Sequence, residues 1–129
     1  IALNLGHTVA HALEAADGYA NLLHGEAVAY GLRAATRIGV AVGATPAVRA
    51  ARIEGLLDRL DLARAALPYP LDAVLAATGS DKKHAGGRLR WVLPTAQGMV
   101  VRDDVPPHAV ATAVAGILAG APSASAVAS

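Results

Sequence analysis

The chain has 129 residues, of which 54% are hydrophobic, and its formal charge at pH 7 is +1. The apolar residues are mostly small, since 32 residues are Ala and Phe is absent. Alanine is the best helix former and leaves little bulk between packed helices, so the composition predicts a single, mainly α-helical domain. The absence of Cys excludes a disulfide scaffold, a Cys-based zinc site and a thiol nucleophile.

Charge and hydropathy exclude two classes of partner. A net charge this small gives no broad electrostatic reason to bind nucleic acid or a membrane. The longest apolar run, residues 27–42, is interrupted by Arg33 and Arg37, so we expect no membrane span. No signal-peptide pattern is visible, which favours a cytoplasmic protein. The chain begins with Ile rather than Met, and we interpret it as a portion of a longer protein.

Three helices are predicted in the first half of the chain. The first covers residues 3–16, starts after Asn4 or Gly6, and ends at Asp17 and Gly18. The second covers residues 25–42 and is expected to be buried on most sides, because its polar residues form one narrow stripe: Glu26, Arg33 and Arg37. The third has Thr45 as N-cap and Pro46 at its first position. Helical spacing predicts that its buried face consists of Ile53, Leu56, Leu57 and Leu60.

The second half predicts a short helix, a hairpin and a final helix. After Pro68 and Pro70, the short helix directs Leu71, Val74 and Leu75 inward, and residues 79–87 form a polar loop. Residues 88–93 alternate between polar and apolar side chains, which is typical of a half-buried strand, and residues 99–102 can pair with them as the second strand of a hairpin. Pro106 and Pro107 open the final helix, whose inward residues are Val110, Val114, Ile117 and Leu118. The domain is expected to span residues 1–120, with a disordered tail at 121–129.

Three of the five His form a candidate metal site. His7 and His11 are four residues apart on the first helix and so project from one face, while His24 stands at the start of the second helix. Imidazole is a common ligand of Zn²⁺, which takes three or four N or O donors. The alternative is a satisfied polar pair near a helix start. Because no nearby carboxylate is an obvious further ligand, a complete site would take a ligand from outside this chain.

The lysines are the second indication of a binding site, because the chain uses Lys only at two adjacent positions, Lys82 and Lys83. An ammonium group in a loop flanked by Gly suits a phosphate or a carboxylate, although a solvated charged loop is the alternative. Asn4 and Glu14 can both reach the face of His7 and His11, and Asn4 can equally be an N-cap. His84 and His108 are interpreted as surface residues. The chain has neither a GxGxxG nor a GxxxxGK phosphate loop.

Together these residues resemble one family. The segment from Asn4 to Glu14 resembles the Asn-x-Gly-His-Thr-x-x-His-Ala-x-Glu signature of 3-dehydroquinate synthases, and His24-Gly25-Glu26-Ala27-Val28 resembles that family's His-Gly-Glu-Ala-Val segment. Asp81-Lys82-Lys83, followed by Gly86 and Gly87, is similar to its Asp-Lys-Lys loop. The three motifs occur in the family's order, and the resemblance extends from about Asn4 to Ile117.

The resemblance implies a carbon–oxygen lyase of the shikimate pathway of aromatic amino acid biosynthesis. The family converts 3-deoxy-arabino-heptulosonate 7-phosphate to 3-dehydroquinate and phosphate, using NAD⁺ transiently and a divalent metal, Zn²⁺ or Co²⁺. It implies the fold of the family's helical C-terminal domain with one small β-hairpin, whereas NAD⁺ is bound mainly by an N-terminal domain outside this sequence. Full-length relatives are commonly homodimers. No residue of this chain is assigned to NAD⁺.

The site residues are carried over by motif. His7 and His24 match the two metal-ligating His of the family, whose third ligand is a Glu of the N-terminal domain. His11 matches a substrate-site residue associated with proton transfer, and Asn4 matches one that contacts the substrate. Lys82 or Lys83 matches a Lys that binds anionic groups of the substrate, and the resemblance implies that both are candidate substrate-binding and catalytic residues.

Two alternatives stay open at this stage. One is another sugar-phosphate cyclase, acting on sedoheptulose 7-phosphate or glucose 6-phosphate. The other is a truncated, non-catalytic helical module that only binds metal. The more distant metal-dependent alcohol and glycerol dehydrogenases share the fold, but the Asp-Lys-Lys segment argues against them.

Overall fold

The computed structural model describes residues 6–84 and 89–120, with the backbone alone for residues 80–84. Within those ranges the chain forms five helices and one two-stranded sheet, which confirms the predicted mainly α fold. In chain order the elements are α1 His7–Asp17, α2 His24–Ala41, α3 Ala47–Arg59, α4 Leu71–His84, β1 Trp91–Pro94, β2 Met99–Arg102 and α5 Pro107–Ala119. None of the helices in these ranges is long and apolar enough to cross a membrane. The predicted tail, 121–129, lies outside the described residues.

Helix α2 is the centre of the fold. It packs against α1, α3, α5 and β1, while α4 packs against α1 and α5. Most of its length is buried, as its narrow polar stripe predicts, and its buried residues are Ala27, Ala29, Tyr30, Gly31, Arg33, Ala34, Ala35, Thr36, Ile38 and Gly39. Small side chains on several faces allow four elements to approach this one helix closely. The abundance of Ala in the sequence therefore serves the central helix.

The start of α1 and the middle of α2 are in backbone-to-backbone contact. Gly6 precedes α1 with a φ of +82°, and a Cβ on Gly6 would lie 2.7 Å from the backbone of Gly31 and Leu32. Conversely, a Cβ on Gly31 would overlap the carbonyl group of Gly6. Only glycine tolerates both the left-handed backbone and a contact of this kind. These two glycines fix where α1 crosses α2.

Two residues of the polar stripe of α2, Arg33 and Arg37, face α3, whereas Glu26 is exposed. Arg33 is only 4% exposed, and its guanidinium donates to Glu54 at 3.1 Å, Asp58 at 2.7 Å and the carbonyl of Leu62 at 2.8 Å. Arg37 also donates to Glu54, at 2.8 Å. A buried guanidinium that lost these partners would be costly. The network therefore sets the position of α3 along α2.

Two predictions about α3 are wrong. Of the four residues expected to be buried, Leu57 is buried and Ile53 half-buried, but Leu56 and Leu60 are 50% and 58% exposed. The reason is that α3 packs against α2 at the edge of the fold and uses the charged network for much of that contact.

The predicted N-cap of α3 is also incorrect. Pro46 occupies the N-cap, and the Thr45 hydroxyl instead donates to the carbonyl of Pro94 at 2.6 Å. Thr45 is buried against Gly39, where any Cβ would overlap its side chain. This hydrogen bond joins the corner between α2 and α3 to β1.

The second half of the chain follows the predicted elements more closely, with two corrections to their bounds. The pattern predicts a loop at residues 79–87, but α4 continues through His84, since no Gly or Pro after Gly79 interrupts it before that point. The hairpin is confirmed as an antiparallel pair with Trp91 opposite Arg102, although β1 runs from 91 to 94 rather than from 88 to 93.

The core forms where α1, α2, α4, α5 and β1 meet. The four residues predicted to point inward from α5 are all buried, and Val74 of α4 is fully buried while Leu71 and Leu75 pack partly buried against the core. Most of the large buried side chains are aliphatic, with Tyr30 and Trp91 as the aromatic members among the described residues. The described core is thus made mainly of small and medium side chains.

We predict that Gly31→Ala destabilises the fold by about 2–3 kcal/mol, because the new methyl group cannot enter the contact with Gly6. Gly55→Ala is the matched control, since Gly55 also lies inside a helix but its Cβ would meet open space. That control should gain up to about 1 kcal/mol of helix propensity. Urea denaturation followed by the fluorescence of Trp91, the single Trp, measures both. Equal stabilisation by the two substitutions would contradict the role of Gly31.

Candidate functional site

Three imidazoles meet where α1 and α2 begin. The ring centroids of His7 and His11 are 5.3 Å apart, and those of His7 and His24 are 6.5 Å apart with the rings nearly edge to face. His7 is half-buried, whereas His11 and His24 are exposed. The structure thus brings together the three His that the sequence singles out, although they come from two different helices.

The loop between α1 and α2 places His24 beside α1. Gly18 takes a left-handed conformation with φ +67° and ends α1, and Tyr19 follows with φ +57°. The Glu26 carboxylate then accepts a hydrogen bond from the Leu23 N–H at 3.1 Å, which satisfies one free donor at the start of α2. These local interactions determine where the second helix begins.

Asp17 organises that loop, a role that sequence reasoning misses. One carboxylate oxygen accepts hydrogen bonds from the backbone N–H groups of Ala20, Asn21 and Leu22 at 3.1, 2.7 and 2.7 Å. The other accepts the Tyr69 hydroxyl at 2.7 Å. The signal in the sequence is an Asp immediately before a helix-ending Gly, since short Asp side chains bond nearby backbone groups in turns.

These contacts alter the acidity of both side chains. The hydrogen bond from the Leu22 N–H, followed by those from Tyr69 and the other loop amides, lowers the pKa of Asp17. Burial, reinforced by the bond to Asp17, raises the pKa of Tyr69 to about 12. Both shifts favour a charged carboxylate bonded to a neutral phenol.

A carboxylate also reaches the imidazole cluster. Oε2 of Glu14 lies 3.3 Å from Nδ1 of His24, and the Glu14 side chain is 14% exposed while that of His24 is 64% exposed. Glu14 is three residues after His11 and so lies on the same face of α1. The expectation that Glu14 can reach this face is confirmed.

Burial lowers the pKa of His7, and the neighbouring His11 and His24 lower it further, whereas Glu14 acts in the opposite direction. A lower pKa keeps the imidazole neutral near pH 7. Neutral imidazole is the form that binds metals. The surroundings of His7 therefore favour the protonation state that a metal ligand needs.

The donor set suits part of a zinc site. Two imidazoles on one tetrahedral Zn²⁺ have Zn–N distances of about 2.1 Å, which brings their ring centroids to roughly 5.4 Å. His7 and His11, 5.3 Å apart, already match this spacing, whereas His7 and His24, 6.5 Å apart, match it only when the exposed His24 ring moves closer. Within the described part of the chain, no three His, Asp or Glu side chains are gathered closely enough to hold a metal unaided. The residues therefore fit as two ligands of a site that needs a further donor.

The remaining candidates are placed only partly. Asn4 lies outside the described residues, and Lys82 and Lys83 belong to the last turn of α4 by their backbone, their side chains lying outside the described part. Because α4 packs on α1, the two Lys are carried on a helix that adjoins the one bearing His7 and His11. His108 is exposed at the start of α5, as predicted, and the side chain of His84 lies outside the described part.

Comparison with known proteins identifies the family to which the chain belongs. The family model described as 3-dehydroquinate synthase C-terminal matches residues 1–84, which include the signature, His24 and the two Lys. The chain belongs to this family. The resemblance carried by the motifs is therefore confirmed.

Similar proteins extend the match over most of the chain. A 3-dehydroquinate synthase of Gloeobacter violaceus is 44% identical over 99 residues, 76% of this chain and 27% of that protein. One of Crocosphaera subtropica is 40% identical over 115 residues, 84% of this chain and 30% of that protein. The chain thus spans less than a third of the length of these relatives.

A solved structure confirms the fold. The 2-epi-5-epi-valiolone synthase ValA from Streptomyces hygroscopicus subsp. jinggangensis, with NAD⁺ and Zn²⁺ bound, is similar with a TM-score of 0.76 and 25% identity. The similarity covers 88% of this chain and 32% of ValA. The family fold predicted from the motifs is present.

We predict that Asp17→Asn lowers stability at neutral pH and that the difference from the wild type disappears in acid. Because the folded pKa of Asp17 lies below the ordinary value of 3.8, its contribution is complete above that value and is lost as the pH falls through the folded pKa. Urea midpoints measured from about pH 7 to about pH 2 check this.

Asp72→Asn is the matched control, because Asp72 is exposed in the first turn of α4 and bonds only the adjacent Ala73 N–H among the described contacts. Its profile should run parallel to that of the wild type. A constant difference between Asp17→Asn and the wild type down to the lowest pH would contradict the prediction.

Proposed function

We propose that this chain is the metal- and substrate-binding part of a 3-dehydroquinate synthase. The reaction is the conversion of 3-deoxy-arabino-heptulosonate 7-phosphate to 3-dehydroquinate and phosphate in the shikimate pathway, catalysed by a cytoplasmic carbon–oxygen lyase. The observation that carries the proposal is the meeting of His7, His11 and His24 from two helices, in a chain of this family. NAD⁺ would be bound mainly by another part of the enzyme, which we expect to act as a homodimer.

His7 and His24 are the residues that would hold a divalent metal, Zn²⁺ or Co²⁺. The lowered pKa of His7 supports this role because its lone pair stays free near neutral pH. When bound, the metal would polarise oxygens of the substrate and NAD⁺ would supply a transient oxidation that makes a neighbouring proton acidic. The third protein ligand would come from the NAD⁺-binding part of the enzyme rather than from this chain.

His11 is placed to act on the substrate rather than on the metal. Its ring is exposed and 5.3 Å from that of His7, so a substrate held at the metal would lie within its reach. An imidazole can accept or donate a proton near neutral pH, which suits the transfer required before phosphate leaves. We assign His11 the roles of substrate contact and proton carrier.

The anionic groups of the substrate need cationic partners. Lys82 and Lys83, at the end of α4, would supply compact ammonium groups for the phosphate or carboxylate, and Asn4 would contact a substrate hydroxyl. The packing of α4 on α1 supports this role, because it fixes the helix bearing the Lys to the helix bearing His7.

The test uses a chimera in which this chain replaces the matching part of the Gloeobacter violaceus relative. We predict phosphate release from 3-deoxy-arabino-heptulosonate 7-phosphate in the presence of NAD⁺ and Zn²⁺. His7→Ala and His24→Ala should each lower kcat/KM by about 100-fold or more, because each removes a metal ligand. His108→Ala, an exposed His on α5, should leave the rate unchanged. The chain alone should bind Zn²⁺ more weakly than the chimera and release no phosphate.

Three results would contradict the proposal. Full activity in His7→Ala would remove the ligand assignment. Phosphate release from sedoheptulose 7-phosphate or glucose 6-phosphate alone would identify a different sugar-phosphate cyclase. A folded chimera that binds Zn²⁺ but releases phosphate from none of the three substrates would identify a non-catalytic metal-binding module.

A further inference from the structure

The Glu14–His24 pair links the two helices that carry the imidazole cluster. Glu14 Oε2 is 3.3 Å from His24 Nδ1, and the carboxylate is the more buried partner, at 14% exposure against 64% for the ring. The carboxylate therefore has less freedom to move, while the exposed ring has room to turn except for this contact. In this pair, Glu14 sets the orientation of the His24 ring.

The chemistry of a neutral imidazole determines what the contact does. Only one ring nitrogen carries a hydrogen, and a carboxylate accepts a hydrogen bond but cannot donate one. A carboxylate at Nδ1 therefore places the hydrogen on Nδ1 and leaves the lone pair on Nε2. Metal-ligating His commonly bond their other ring nitrogen to a carboxylate in this way, and loss of the carboxylate weakens metal binding.

We propose that Glu14 is a positioning residue that fixes His24 in the tautomer with hydrogen on Nδ1, so that Nε2 is the nitrogen available to a metal ion. The role of Nε2 as a metal donor rests on the proposed function. The assignment of the tautomer rests on the geometry of the pair alone.

Glu26 is the matched control for Glu14. It is two residues from His24, and its carboxylate accepts the Leu23 N–H at 3.1 Å rather than contacting the imidazole. Glu26→Gln removes this charge but keeps a side-chain oxygen that can accept the Leu23 N–H, so we expect the start of α2 and the contact at Nδ1 to stay in place. An effect of Glu14 that acted only through overall charge would therefore also be visible at Glu26.

The first experiment determines the tautomer of His24 in the metal-free chain. Long-range ¹H–¹⁵N spectra recorded at about pH 8.5, above the ordinary imidazole range, identify the protonated nitrogen, and His24→Gln assigns the signals. We expect hydrogen on Nδ1 in the wild type and in Glu26→Gln, and a shift toward hydrogen on Nε2 in Glu14→Ala. Hydrogen on Nε2 in the wild type, or no change in Glu14→Ala, would overturn the inference.

The second experiment measures Zn²⁺ binding to the same proteins by competition with a chromophoric chelator. Glu14→Ala should weaken binding by about 10- to 100-fold, and Glu26→Gln should change it by less than about twofold. If Zn²⁺ binding weakened equally in the two variants, Glu14 would act only through its charge, and its positioning role would be overturned. Trp91 fluorescence checks the fold, and Glu14→Leu, which also cannot accept a hydrogen bond, replaces Glu14→Ala if the latter unfolds.

The two proposals fail in different ways. If His7→Ala and His24→Ala bind Zn²⁺ as tightly as the wild type, the metal site of the proposed function is wrong, and the tautomer of His24 still decides the role of Glu14. If those two variants lose Zn²⁺ while Glu14→Ala does not, the metal site stands and the role of Glu14 is wrong.

Discussion

The contact between the backbones of Gly6 and Gly31 is the constraint on which the candidate site depends. It places the start of α1 directly on α2, and His7 is the residue that follows Gly6. A side chain at either glycine would separate the two helices, because the opposing atoms belong to backbone and cannot rotate away. The distance between His7 and His24 is therefore set by the absence of two Cβ atoms, together with the loop that Asp17 holds.

The rest of the fold surrounds α2 by two different means. Toward α1 the contact is close, because Gly6 and Gly31 bring the two backbones together, and toward α5 the Arg37 side chain of α2 lies against Gly116. Toward α3 the contact contains the buried Arg33, whose charge requires Glu54 and Asp58. Charged pairs fix direction and position more strictly than apolar contacts do, although a buried pair adds little net stability. His24, at the start of α2, stays exposed, whereas Arg33 is buried where α2 meets α3.

Much of the fold could be predicted from periodicity and from residues that stop helices. Gly18 ends α1, the four aliphatic residues of α5 point inward, and β2 occupies the predicted residues. The errors at the α2–α3 corner and along α3 share one cause, since each involves a residue whose environment is set by parts of the chain distant in sequence. Thr45 bonds Pro94, and Leu56 and Leu60 remain exposed because no second layer of the described chain covers α3. Local patterns carry no information about such partners.

The sequence by itself determined the helical class, the family and the identities of the candidate ligands, because motifs and apolar spacing are local properties of the chain. His7 and His11 share a face by helical geometry alone. Only the tertiary structure decided that His24 joins them, that Glu14 faces its Nδ1, and that Asp17 closes the loop between them. The physical reason is that these contacts depend on how α1 crosses α2, and that crossing is fixed by packing between glycines 25 positions apart, which no helical period relates.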